Sequence, residues 1–382
     1  MSSFYFSISY KNNSNRKEFI LDTMWRIIRP DAANAFEDPL VKKLLARYVK
    51  VAENKLSAKF QIAKKVPIKT KSWQEHENAM EKFRMLQKRV DKGLDLSKLK
   101  TPKKSLLDLK IFLAKELVKS CELCEHMCKV NRLAGEQGFC KVNDCLISSE
   151  FVHTGEESYY VPSHTVFFWS CNMQCVFCQN YTISNRLEEP IKISPTALAK
   201  VIERRRDEGC RNCNLVGGEP TPFLLWILEA LNACKVNVPI VWNSNMYITE
   251  ESLRLLLDVM DIWLPDFKYG NDSCALRLSM VRNYVGVVTR NLKAICERAD
   301  PIIIRHLVLP NHISCCTEPV LTWISENCPS ALVNVMGQYR PEYLVLRYPD
   351  KYRDIARRPS ADEMDRAYEI AKRLRLDFED VS

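Results

Sequence analysis

The sequence predicts an α/β protein in which six strand-then-helix units build one parallel sheet, preceded by a helical segment and a small cysteine-rich unit. Three observations carry that expectation. From residue 166 onward short apolar runs alternate with amphipathic stretches, the pattern of repeated βα units. Before residue 115 apolar residues recur at helical spacing. Between these regions lies a concentration of thiols, with eight of the 16 cysteines inside residues 121–178.

The N-terminal segment shows helical periodicity over 39–50 and 76–90, followed by a linker-like stretch at 91–104 that carries Gly93 and Pro102 among lysines. It is also where the charge lies. Residues 41–110 hold 20 Lys or Arg against 7 Asp or Glu, a net of +13 in a chain of net +9, which leaves −4 for the rest. Such an excess suits a solvated helical surface or an acidic partner; a nucleic acid is disfavoured because aromatic residues for stacking are few there (Tyr48, Phe60, Trp73, Phe83).

In the second half, strands are expected at 166–169, 214–216, 239–242, 262–265, 302–309 and 332–335. Ser194 before Pro195 opens a helix that ends near Gly209, Thr249 opens another, and Ser360 with Glu363 has capping-box spacing before the last. Polar residues recur where each strand ends: Cys171; Gly217, Gly218 and Glu219; Asn243 to Asn245; Asp266 and Lys268; Arg305 and His306; Gln338 and Tyr339. In barrel-like parallel sheets the carboxyl ends of the strands form the active face, so these residues are expected to converge. His306, inside an apolar strand, reads as a satisfied core histidine.

Hydrophobic residues make up 46% of the 382 and charged residues 27%, the mix of a globular protein. No run approaches the roughly 18 apolar residues of a membrane span, and the opening segment lacks the basic start and apolar run of a signal peptide. A cytoplasmic setting is expected, and with it reduced thiols rather than disulfides. Cys210, Cys213, Cys234, Cys274, Cys296, Cys315, Cys316 and Cys328 are scattered among apolar neighbours, and most of them read as small buried hydrophobes. Cys210 with Cys213 and Cys315 with Cys316 are close pairs, but neither has a second pair beside it.

The segment FFWSCNMQCVFCQN spaces Cys171, Cys175 and Cys178 as Cys-x3-Cys-x2-Cys, close enough to bind one polynuclear iron cluster from one loop. No fourth cysteine stands near, so one iron of a cubane stays open to a small molecule, as catalytic zinc sites keep a free position. With Phe177 before the last cysteine and GGEP at 217–220, the chain resembles the radical S-adenosylmethionine (SAM) superfamily. Through SCNMQCVFCQN, LVGGEPTP, VWNSNMY, LPDFKYG, VTRNL, RHLVLPNH and QYRPEY it is similar to the pyruvate formate-lyase activating enzyme-related proteins, over most of residues 121–375.

The resemblance implies a partial (β/α)6 barrel over 161–382, with 1–115 as a basic helical extension and 116–160 as a cysteine-rich metal-binding unit. It implies Cys171, Cys175 and Cys178 as ligands of a [4Fe–4S] cluster whose open iron is chelated by SAM. Phe177 would then lie near the adenine, Gly217, Gly218 and Glu219 near the methionine amino group, and Asp266, Lys268 and Asn245 on SAM, with Arg305 a candidate for its carboxylate. The implied reaction is reductive cleavage of SAM to a 5′-deoxyadenosyl radical that abstracts hydrogen from carbon. A one-electron donor such as flavodoxin or ferredoxin would supply the electron, and a glycine of a partner enzyme is the favoured target. The alternatives are modification of a peptide or small molecule, and a metal-bearing nucleic-acid or protein binding module that is not an enzyme.

Upstream, Cys121, Cys124, Cys128 and Cys140 form Cys-x2-Cys-x3-Cys-x11-Cys, which predicts a second iron–sulfur cluster or tetrahedral zinc, with His126 and Cys145 as possible substitutes. Their position before the triplet departs from the activating enzymes of established reaction.

Overall fold

The structure is a computed structural model that describes residues 25–381, so the opening of the N-terminal extension, over which the sequence reading finds no signal peptide, lies outside the described residues. The strands are β1 (Leu146–His153), β2 (Ser163–Phe168), β3 (Ile191–Lys192), β4 (Asn212–Gly217), β5 (Ile240–Ser244), β6 (Ile262–Pro265), β7 (Ile303–Leu307), β8 (Leu332–Met336) and β9 (Phe378–Val381). Six of them, β2, β4, β5, β6, β7 and β8, run parallel in that order and are the six that the apolar runs predict. Single parallel bridges, Trp263 to Ile302 and Asp266 to Arg305, join β6 to β7 and carry the sheet round as an open barrel.

Three strands were not expected. β1 pairs antiparallel with β2, β3 pairs with β1, and β9 adds in parallel to β8. β1 reads LISSEFVH and is only half-buried, so it offers no apolar run to find.

Helices cover the outside, and their ends follow from local chemistry. Ser194 accepts from the Ala197 N–H ahead of Pro195–Asp207, Thr249 accepts from Ser252 ahead of Glu250–Leu256, and Ser360 and Glu363 form a reciprocal capping box ahead of Ala361–Arg373. Among the described residues no helix is long and apolar enough to cross a membrane.

The N-terminal region is packed more closely than its composition suggests. The helix expected over 39–50 breaks at Leu45 into Pro39–Leu44 and Ala46–Ala52. The stretch at 91–104 is no loose linker: it folds into the turn Leu96–Lys98, and Lys65 Nζ holds the Leu99 carbonyl at 2.7 Å. Helices Trp73–Asp91 and Leu106–Lys119 bury Phe83, Leu107 and Leu113 in the same core as Leu228 and Leu231 of the barrel. Several cations of this basic region are also bound to the barrel. Buried Lys59 reaches Asp300 at 2.5 Å, Arg47 reaches Asp261 at 3.0 Å, and buried Lys110 donates to the Leu257 and Arg254 carbonyls at 2.8 and 2.9 Å, satisfying the end of helix Glu250–Leu256.

At the amino ends of the strands the barrel is plugged. Tyr48 from the extension and Tyr159 and Tyr160 from the β1–β2 connection fill it against Val241, Ile262, Ile303 and Leu332, and Tyr48 donates to the Tyr159 carbonyl at 2.9 Å. Chemistry is therefore left to the carboxyl ends.

One expectation about thiols is corrected. Cys296, at the end of helix Tyr284–Cys296, is joined by a disulfide to Cys328, just past helix Glu318–Asn327, so these two are not isolated small hydrophobes. Helix packing brings the two helix ends to a Cα separation of 5.5 Å, which spacing along the chain could not reveal.

Candidate active site at the carboxyl ends of the strands

The loop after β2 carries Cys171, Cys175 and Cys178 and is fixed by its backbone. Ser170 adopts a left-handed φ of 68°, its N–H donates to the Ile183 carbonyl at 2.8 Å, and its hydroxyl donates to the Cys140 carbonyl at 2.6 Å. From the other side the C-terminal carbonyls of helix Asp272–Ser279 take the Gln174 N–H (onto Ser279, 3.1 Å) and the Val176 N–H (onto Leu278, 2.9 Å).

The glycines after β4 serve this loop. Gly217 has φ +106°, and a Cβ there would lie 2.1 Å from the Phe168 nitrogen; a Cβ on Gly218 would lie 1.9 Å from the Ser170 carbonyl oxygen. Beside the expected place near the SAM methionine, what packs against these glycines is the backbone of residues 167–170.

Glu219 is buried, and burial raises its pKa against the pull of hydrogen bonds from Thr221, Ser244 and Asn245. Its carboxylate accepts from the Thr221 hydroxyl (2.5 Å), the Ser244 hydroxyl (2.7 Å) and the Asn245 N–H (2.9 Å). It thus ties the ends of β4 and β5. Asn245 in turn sends its amide to Asn172 Oδ1 at 2.7 Å and to within 3.7 Å of Cys171 Sγ.

After β6, Lys268 pairs with Asp266. Burial works against the lysine's charge, but Asp266, Cys175 and Tyr284 outweigh it and hold Lys268 above its ordinary range. This is not a surface pair: the lysine side chain is 16% exposed.

The three thiols share one electrostatic setting. Burial pushes Cys171 well above the usual thiol range, with the Glu219 carboxylate and Cys175 adding to it. Burial takes Cys175 up to about 11 against the pull of Lys268, and raises Cys178 against a hydrogen bond with Ser184. As thiols they are inert; a cation among them would favour the thiolates. Ser279 donates to Cys175 Sγ at 2.9 Å, and the Ser184 hydroxyl lies 3.2 Å from Cys178 Sγ. A cavity of about 100 Å³ opens beside Cys171, Ser184 and Tyr343, and a second of about 270 Å³, lined by Arg277, Met280 and Lys351, shares Gln174, Asn185 and Tyr343 with it.

Thus the structure gathers Cys171, Cys175, Cys178, Gly217, Gly218, Glu219, Asn245, Asp266 and Lys268 on one face. Phe177 is buried edge-on against Tyr339, with ring centroids 5.6 Å apart. Arg305 is turned elsewhere: it is held by Glu157 (2.9 and 2.5 Å) and Glu156 (2.7 Å) from the β1–β2 connection, so a role on a carboxylate ligand would require it to leave these two acids. His306 is the expected core histidine, between the Phe267 carbonyl (2.8 Å) and the Thr317 hydroxyl (3.0 Å), and burial lowers its pKa to about 4.

The upstream cysteines have an unexpected companion. Arg132 is buried and donates to Cys121 Sγ and to Cys140 Sγ, each at 2.9 Å, while Cys128 Sγ accepts from the Phe139 N–H at 3.3 Å. Burial raises Cys124 and Cys145. Among the described residues, the group of Cys, His or carboxylate side chains whose ligand atoms all lie within 4.8 Å of one another is a different one, Cys274, His312, Cys315 and Cys316. Sequence reasoning missed it; the available signal was a cysteine at the end of one βα loop and His-x2-Cys-Cys in the next.

A match to the radical SAM superfamily covers residues 166–323. The chain is 45% identical over 341 residues to the uncharacterized protein MJ0674 of Methanocaldococcus jannaschii, which covers 87% of this chain and 98% of that protein. Among solved structures it is similar to Streptococcus suis SuiB bound to precursor peptide SuiA (TM-score 0.42, 16% identity, 56% of this chain) and spans 47% of that chain. It is also similar to a domain of pyruvate-formate lyase-activating enzyme from Bacteroides vulgatus (TM-score 0.35, 14% identity, 44% of this chain, 98% of that one). The chain belongs to the radical SAM superfamily. Membership implies an enzyme that uses SAM and a [4Fe–4S] cluster.

Proposed function

We propose that Cys171, Cys175 and Cys178 hold the [4Fe–4S] cluster by three of its irons and that the enzyme abstracts hydrogen from a carbon centre of its substrate. The observation that carries this reading is the meeting of the loop with two strand ends and the helix that follows β6: Asn245 beside Cys171, Lys268 near Cys175 and Cys178, and Ser279 on Cys175. The donor set fits the group, since three soft sulfurs on one loop have no fourth beside them and a cavity adjoins Cys171. When bound, the reduced cluster supplies one electron for cleavage of the SAM sulfonium, and the organic chemistry belongs to that pair.

The chain's own residues position and shield. Asn245 and Ser279 direct N–H and O–H groups at sulfur, which stabilises added negative charge. The Asp266–Lys268 pair places a cation suited to the SAM carboxylate, and Glu219 supplies a carboxylate for its ammonium once one of its present donors yields. Substrate reaches the site along the cavity bounded by Tyr343, Arg277 and Lys351.

A glycine of a partner protein remains the favoured target, with flavodoxin or ferredoxin as electron donor. The test is anaerobic reconstitution with iron and sulfide, reduction, addition of SAM and measurement of 5′-deoxyadenosine. Its formation by the wild type and its loss in Cys171→Ala support the reading; equal product from both defeats it. A glycyl electron paramagnetic resonance signal on a co-purified partner supports activation, and a modified product without that signal redirects the target to a peptide or small molecule.

A further inference from the structure

We infer that Cys274, His312, Cys315 and Cys316 form a second metal site, a closed Cys3His centre for zinc that clamps the loop after β6 to the loop after β7. The inference is independent of the SAM reaction. His312 Nδ1 lies 3.6 Å from Cys274 Sγ, 3.3 Å from Cys315 Sγ and 3.7 Å from Cys316 Sγ, and the sulfurs of Cys315 and Cys316 are 3.9 Å apart. A tetrahedral zinc with sulfur at about 2.3 Å and nitrogen at about 2.0 Å has S···N edges of about 3.6 Å and S···S edges of about 3.8 Å. The observed edges are those of ligands around one ion. A polynuclear cluster, which interposes several atoms between its thiolates, needs wider spacing.

Ordinary hydrogen bonding accounts for the arrangement poorly. Three thiols converge on one imidazole nitrogen, and only one can donate to it.

The surroundings are those of a supported ligand set. His312 is buried, and its other ring nitrogen, Nε2, lies 3.1 Å from Asp354 Oδ2, whose carboxylate is also paired with Arg277. A carboxylate on Nε2 keeps the N–H there and turns the Nδ1 lone pair to the sulfurs, the usual partner of a metal-bound imidazole. Asn271 sends its amide to the Cys315 carbonyl at 2.8 Å and to Cys274 Sγ at 3.3 Å. Cys315 and Cys316 lie on a π-helical turn, Ile313–Thr317, a rare geometry that collects at functional sites. Gly270 lets the loops touch: a Cβ there would lie 2.9 Å from the carbonyl oxygens of both Cys315 and Cys316.

The position gives the site a purpose. Cys274 is on helix Asp272–Ser279, whose last residues hold the 171–178 loop through Gln174, Val176 and Cys175. Zinc would fix that helix to β7 and so steady the loop proposed to carry the cluster.

The test is metal analysis of the full-length protein, grown with zinc and freed of loose metal by a chelator. Wild type should keep about one zinc per chain at this site. Cys315→Ser and Cys316→Ser should each lose it, while Asp354→Asn, which keeps all four ligands, should weaken it by about 10–100-fold in a competition titration. Cobalt in place of zinc should give the absorption of a tetrahedral thiolate complex in the wild type, altered in Cys274→Ser, which keeps the reading testable should a serine variant fold poorly. Zinc that survives Cys315→Ser and Cys316→Ser but is lost in Cys121→Ser would overturn the inference. So would wild type isolated without zinc and with a Cys274–Cys315 disulfide by mass spectrometry.

Discussion

Cys121, Cys124, Cys128 and Cys140 stand close together in the chain, yet an arginine occupies the space between two of them. Cys274 and His312 are 38 residues apart, yet with Cys315 and Cys316 their ligand atoms close on one point. Spacing along a chain says which thiols are able to meet. What sits between them is decided by neighbouring elements, and Arg132, eleven residues beyond Cys121 and eight before Cys140, is the local residue that answers that question upstream. The set after β6 and β7 is instead assembled by the barrel, which lays successive βα loops side by side.

The largest effect that sharpens this contrast is an exchange of metals between variants. Cys178→Ala should lose its iron and keep its zinc, and Cys316→Ser should do the reverse, by elemental analysis of anaerobically purified protein. Joint loss of both metals in either variant would merge the two sites.

A second test separates two histidines of neighbouring segments, His306 in the core and His312 among thiols. Burial lowers the His306 pKa from 6.5 to about 4. Between those values the unfolded chain binds more protons than the folded one, so stability rises with pH through this window and is lost as pH falls from about 6.5 to about 4, by up to about 3 kcal/mol. His306→Gln should flatten the pH dependence of the urea midpoint over that range. Parallel profiles for variant and wild type would contradict it.

Arg132→Met should destabilise the protein by about 2 kcal/mol in urea denaturation, because it removes two buried hydrogen bonds to sulfur, while bound metal stays the same. Loss of a metal in this variant would break the comparison, since Arg132 would then be the outer support of an ion at Cys121 and Cys140. The smallest change is expected for Ser279→Ala, which removes the hydroxyl that donates to Cys175. SAM cleavage should slow about fivefold, the worth of one hydrogen bond, with iron content unchanged. An unaltered rate would show that this donor does not act on the thiolate.

These outcomes mark what the sequence makes legible. The six parallel strands could be read because strands covered on both faces leave apolar runs such as IVW at 240–242 and LVNV at 332–335. β1 could not, since its half-buried faces leave Ser148, Ser149 and Glu150 in its middle and no apolar run. The cysteine loop was legible because all three thiols lie in one short segment, and Glu219, Asn245 and Lys268 because they follow strands on a common face. The engagement of Arg305 by Glu156 and Glu157 was not, because it depends on how a connection folds back into the barrel. The basic charge of residues 41–110 lies mostly on a solvated surface, as composition suggests, but Lys59 and Lys110 are buried against the barrel, which composition does not record.

If Cys171, Cys175 and Cys178 hold the cluster as proposed, one of its corners is free for SAM. Mössbauer spectroscopy of iron-57-labelled, anaerobically reconstituted protein, recorded with and without SAM, tests it most directly. A [4Fe–4S] cluster with a single iron site that changes on SAM addition is the predicted result; a spectrum that SAM leaves untouched, or a cluster retained in full by Cys171→Ala, would contradict it.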